Sequence, residues 1–155
     1  MVDRPEYTEI EHTADVGMAL RAPDIRSAFE RAAAAAFDMM CDLDSVAADA
    51  SFEVRVGGRP DDLEHLMVRW LSELLYLYDS EGILLSEFDV LELQFGVQGD
   101  GEDPAAGSFL TARAGGERFD ARRHQMKLEL KAPTYHQLAV ERAGDGWSVR
   151  VIFDT

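Results

Sequence analysis

Asp24-Ile25-Arg26-Ser27-Ala28-Phe29-Glu30-Arg31-Ala32-Ala33-Ala34-Ala35-Ala36-Phe37-Asp38-Met39-Met40 is the stretch from which the fold is read. Apolar residues recur at Ile25, Ala28, Phe29, Ala32, Ala33, Ala36, Phe37 and Met40, the i, i+3, i+4, i+7 spacing of a helix with one buried face. Asp24, directly after Pro23, is a good N-cap. The run of alanines lets such a helix sit close to whatever it packs on. A second helix starts near Asp61 or Asp62, where Leu63, Leu66, Met67, Trp70, Leu71, Leu74, Leu75 and Tyr78 repeat the pattern until Asp79, Ser80 and Gly82 stop it.

The remainder alternates as strands do, over 7–11, 16–21, 51–56, 85–95, 108–114, 117–120, 125–131, 138–142 and 147–153. Gly144-Asp145-Gly146 supplies the positive-φ positions of a hairpin between the last two, and Gly115-Gly116 predicts another hairpin. The segment 99–107, rich in Asp, Glu, Gly and Pro, reads as a mobile loop. With strands outnumbering helices and short later turns, the expectation is an α+β fold: largely antiparallel β-sheet layers with two main α-helices packed against them. Neither a repeat nor a linker divides the chain, so residues 1–155 are expected to form one domain.

Its 155 residues suffice to bury roughly 70% of the unfolded surface without staples. Cys41, the lone cysteine, ends the first helix and predicts a buried reduced thiol. No stretch reads as a signal peptide or a membrane span, and a cytoplasmic protein is expected. Thirty acidic residues against fifteen basic ones give a net charge of -15. Such a surface repels polyanions and disfavours direct nucleic-acid binding, while a basic protein partner remains compatible with it. The acids are spread along the whole chain, as a solvating surface requires, rather than gathered in a tail.

Three segments carry residues suited to chemistry. In Glu9-Ile10-Glu11-His12-Thr13-Ala14-Asp15-Val16-Gly17, a histidine, a threonine and an aspartate fall within four positions at the end of a first strand. Asp15 there is either a carboxylate held at a tight bend, open to an ion or a partner, or a turn cap bonded to its own backbone. His12 is either a ligand or a satisfied structural residue, and adjacency in a strand sends the side chains of His12 and Thr13 to opposite faces. At the far end, Val149, Val151 and Phe153 alternate until Asp154 and Thr155, a carboxylate ending that is either functional or simply frayed. In Lys131-Ala132-Pro133-Thr134-Tyr135-His136 a strand stops at proline and polar groups follow. Tyr135 and His136 either form a packed aromatic pair or line one site with His12. If the two ends of the chain meet, hard oxygen donors and histidines gather at one spot. A phosphate loop, a zinc constellation and a calcium loop with proper ligand spacing are all missing.

Taken together, these three segments, with Trp70-Leu71-Ser72-Glu73-Leu74-Leu75 and the Gly116-Glu117 element before His124, resemble the archease family over nearly the whole chain. The resemblance implies a non-catalytic cytoplasmic protein that assists an RtcB-type RNA ligase in transfer RNA splicing and RNA repair, promoting its guanylylation by GTP and its multiple turnover. It also implies a metal site on Asp15 and Asp154, with Thr155 contributing a backbone or carboxylate oxygen, although Thr155 stands where the family usually ends on an aliphatic residue. Oxygen donors of this kind suit calcium, with magnesium or manganese as alternatives, rather than zinc or copper. His12, Thr13, Tyr135 and His136 would then line the face that meets the ligase. Two rival readings are a free-standing metal-dependent hydrolase, with His12 or His136 as general base, and a general chaperone or binding module.

Overall fold

The computed structural model describes residues 6–11, 15–95 and 107–155. Among the described residues eight strands and two helices follow in the order β1 (Thr8–Glu11), β2 (Asp15–Ala22), α1 (Ile25–Met40), β3 (Ala50–Gly58), α2 (Leu63–Glu81), β4 (Ile83–Gln94), β5 (Ser108–Arg118), β6 (Ala132–Pro133), β7 (Ala139–Ala143) and β8 (Gly146–Asp154), with one 3₁₀ turn at Leu43–Ser45. Every strand pairing is antiparallel, as the short turns and alternating patterns predict.

Both helices begin where the sequence puts their caps. Asp24 accepts from the Ser27 N–H at 2.7 Å, and Asp62 from the His65 N–H at 2.9 Å, each satisfying a donor the first turn leaves open. Gly82 closes α2 in the left-handed region at φ 68°, its N–H returning to the last-turn carbonyls of Leu77 and Tyr78.

Two sheets enclose these helices. One has the order β1-β2-β8-β6, with β7 also on β8, and the other has the order β3-β5-β4. Helix α1 packs on β2 and β8 on one side and on β4 on the other, while α2 reaches β3, β4 and β5 as well as β6 and β7. This explains a departure from the one-faced helix that the period predicts: Ala35, Asp38 and Met39 are buried along with the expected face. The alanines make α1 slim enough to lie between two sheets. Trp70 of α2 ties the helices together, its indole N–H donating to the Phe29 carbonyl at 2.9 Å.

Two expectations fail for identifiable reasons. Gly115 and Gly116 make no hairpin; they run inside β5, which is continuous from Ser108 to Arg118. Opposite them β4 shifts register between Leu85 and Glu87, and a Cβ on Gly116 would overlap the Leu84 carbonyl and stand 2.9 Å from Leu85 Cα. The glycines make room for a bulge, which is the other meaning of glycine in a strand. The predicted strand over 125–131 is also absent, reduced to a single bridge between Met126 and Cys41. The predicted loop at 99–107 lies, apart from Gly107, outside the described residues. Cys41 is buried, as expected, and no helix among the described residues is long and apolar enough to cross a membrane.

Candidate functional site

The register of β2 against β8 decides where the two ends of the chain lie. Asp15 stands directly opposite Asp154, followed by Val16 opposite Phe153 and Gly17 opposite Ile152. Residues directly opposed in an antiparallel pair project to the same face with Cβ atoms about 4.5–5.5 Å apart. Asp15 therefore opens a strand rather than capping a turn, and it shares a face with Asp154. Asp15 is half-buried and Asp154 exposed. Among the described residues neither carboxylate takes a hydrogen bond or an ion pair.

Gly17 makes this approach possible. A Cβ there would meet Ile152 Cγ1 at 3.1 Å, the Val151 carbonyl at 3.1 Å and Ile10 Cβ at 3.2 Å, so a larger residue would press β1 and β8 away from β2 next to the aspartates.

The third segment reaches the same place from the other edge of β8. Ala132 stands opposite Asp154, and the Lys131 N–H donates to the Asp154 carbonyl at 2.9 Å. Thr134 grips Ile152 twice, its N–H at 2.8 Å and its hydroxyl at 2.9 Å from the same carbonyl. The Thr134 hydroxyl oxygen in turn accepts from the His136 N–H at 3.3 Å. Tyr135 is 56% exposed at this turn, and His136 is exposed beside it. Asp15, Asp154 and the 131–136 turn are thus neighbours, and Thr155 follows at the exposed end. His12 and Thr13 lie outside the described residues.

What cation such a pair fits follows from its donor set. Two carboxylates offer hard anionic oxygens, which match calcium, magnesium or manganese. Among the described residues no group of three or more histidine, cysteine, aspartate or glutamate side chains converges on one point. The pair would therefore fill only part of an oxygen-coordinated ion's shell, with water and main-chain oxygens completing it.

The connection that leads to the 131–136 turn contains a second cluster of charged and polar residues. Between β5 and β6 the chain has almost no regular structure, yet it is pinned at several points. Glu117, on β5, receives the Ala47 N–H at 2.6 Å and faces buried His124 Nε2 at 2.9 Å, and Arg123 pairs with its other oxygen. His124 Nδ1 accepts the Asp120 N–H at 2.9 Å, so the imidazole proton sits on Nε2 and donates to Glu117. The Arg123 guanidinium is the main cause that lowers the Glu117 carboxyl to about 2; burial opposes it, and the Ala47 N–H and His124 assist. Further along, the Lys127 N–H donates to the Met40 carbonyl at 2.8 Å. A buried histidine seven residues after a buried glutamate leaves no periodic signature, so pattern reading misses it.

The chain matches the Archease protein family (MTH1598/TM1083) over residues 7–155. It is 36% identical over 149 residues to the protein archease of Methanosarcina acetivorans, covering 96% of this chain and 95% of that one. To the protein archease of Pyrococcus furiosus it is 35% identical over 150 residues, with 96% and 98% covered. Its fold is similar to the solution structure of Methanobacterium thermoautotrophicum protein 1598, at 31% identity and a TM-score of 0.78, covering 96% of this chain and 98% of that one.

Proposed function

The chain belongs to the archease family, and from that premise we propose that it is a protein cofactor of an RtcB-type RNA ligase, promoting GTP-dependent guanylylation of the ligase and its multiple turnover in transfer RNA splicing and RNA repair. The observation that carries this reading is the register pairing of Asp15 with Asp154 beside the 131–136 turn. It gathers, on one exposed end of a sheet, the segments in which the sequence resembles the family.

In this reading Asp15 and Asp154 hold a divalent cation, calcium first and magnesium or manganese as alternatives, with Thr155 as a further oxygen donor. The bound ion supplies a positive centre that offsets the repulsion between two carboxylates. The turn with Tyr135 and His136 stands beside it, the resemblance gives His12 and Thr13 the same partner-facing role, and this edge docks beside the ligase's nucleotide pocket. The net charge of -15 supports action through the ligase rather than through RNA held directly.

The test is a multiple-turnover ligation with a matched RtcB-type ligase, read together with the guanylylated fraction of the ligase. Wild-type protein raises both, whereas Asp15→Ala and Asp154→Ala remove the stimulation while keeping the fold. Stimulation that survives both substitutions rejects the site; phosphoester or ester hydrolysis by the purified chain alone would favour the hydrolase instead.

A further inference from the structure

At the opposite end of β2, about 24 Å from Asp15 at 3.4 Å per residue, the sheet carries a feature of the other sign. A cavity of about 330 Å³ is lined by Arg21, Arg31, Trp147, Gly146, Ala143 and Glu6, among others. A second groove of about 450 Å³ adjoins it through Glu6 and Arg21. Strand pairing between β1 and β2 stops at Ala19, so the Arg21 carbonyl lies beyond its reach. Arg31 Nη1 donates to that carbonyl at 2.9 Å, which fixes the guanidinium at the cavity and leaves its remaining N–H groups available. Arg142 stands over the Trp147 ring at 5.3 Å from its centroid, adding a third guanidinium at this end.

Among the described residues two arginines form ion pairs with carboxylates. Arg59 pairs with Asp62, and Arg123 pairs with Glu117 and Asp120. Among the described residues Arg21, Arg31 and Arg142 make no such pair, although Glu6 lines the same cavity. Arg21 and Arg31 line one concavity and Arg142 lies on the ring of Trp147 at its wall, which puts positive charge at this end of an acidic protein, with Asp24 interacting electrostatically with Arg31.

We infer that the Arg21–Arg31 cavity is a binding site for a phosphate group carried by a small anionic ligand. A carboxylate has two oxygens and saturates one arginine fork, whereas phosphate presents enough oxygens to engage two forks at once. The volume suits a small ligand rather than a folded segment. Trp147 provides a reporter, because it is partly exposed at the cavity while Trp70, the other tryptophan, is fully buried.

Inorganic pyrophosphate is titrated into the full chain at low ionic strength, with a chelator present so that no cation bridges it to the aspartates at the far end. Saturable quenching of Trp147, matched by calorimetry, is expected. Arg21→Gln and Arg31→Gln each weaken binding at least tenfold, while Arg150→Gln, whose guanidinium bonds Gln137 at 3.0 Å, leaves it unchanged. Among the described residues the Arg21 side chain makes no hydrogen bond or ion pair, so its variant stays informative even if loss of the Arg31 bond perturbs folding. No saturable response at millimolar pyrophosphate, equal affinity in the arginine variants, or tighter binding of an oligoglutamate peptide than of pyrophosphate would overturn the assignment.

Discussion

Substituting Asp154 by asparagine tests the opposed carboxylates without disturbing packing, because the two side chains have nearly the same shape. Like charges directly opposite across an antiparallel pair destabilise by about 0.2–1 kcal/mol. Coulomb's law agrees: two unit charges about 5 Å apart in water-like dielectric repel by about 0.8 kcal/mol, less once salt screens them. In chelator, Asp154→Asn should therefore stabilise the protein by up to about 1 kcal/mol, raising Tm by about 2–4 °C for a domain of this length. Calcium inverts the ranking. At a hundred times its dissociation constant a ligand that binds only the folded state adds about 2.7 kcal/mol, and the variant should lose most of that gain. The assay is a thermal melt of both proteins in chelator and across a calcium titration. A lower Tm for Asp154→Asn in chelator, or an equal calcium response in both proteins, would refute the argument that these carboxylates face each other and share a cation.

Glu117→Ala leaves the Ala47 N–H and the His124 Nε2–H buried without an acceptor, at about 1–3 kcal/mol each, which urea denaturation should register as a lower midpoint at unchanged slope. Because the Glu117 carboxyl titrates at about 2 in the folded protein, below its ordinary 4.5, its contribution is complete above about 4.5 and is lost as pH falls through about 2. Glu117→Gln should accordingly flatten the acid limb of a stability-versus-pH curve, and an unchanged limb would show that other groups govern it. Gly116→Ala drives a methyl group into the Leu84 carbonyl and should cost at least the ~3 kcal/mol at the top of the overpacking range, whereas Gly57→Ala, with only the Ser108 carbonyl at 3.8 Å, should be tolerated in the same melt. Asp62→Ala removes the acceptor of the His65 N–H and should lower stability by about 1 kcal/mol; an undiminished midpoint would show that α2 does not depend on this cap.

Local signals carried the helices well. Their apolar periods, Asp24 and Asp62 as N-caps and Gly82 as terminator all act within a turn or two of chain, so the residues themselves fix them. The β7–β8 hairpin was legible for the same reason, with Gly144 at φ 61° in its turn. Gly115-Gly116 misled because a glycine pair serves a turn and a bulge equally well, and the deciding partner, Leu84, lies more than thirty positions away. The alternation over 117–120 and 125–131 predicts strands, but beyond Arg118 the bonds of this connection run to distant groups, Met40, Gly82 and Glu117, rather than to a neighbouring strand.

The candidate site divides along the same line. Sequence by itself named Asp15, Asp154 and the 131–136 turn as groups worth bringing together, and set the acidity that bears on the choice of partner. Only tertiary structure decided that β8 returns antiparallel beside β2 with Asp154 in register with Asp15, that α1 is enclosed by two sheets, and that Arg21 and Arg31 line one cavity at the far end. The reason is physical: a one-residue slip in register would send Asp154 to the opposite face of the sheet, and register is set by apolar burial summed along the whole strand, which no short motif contains.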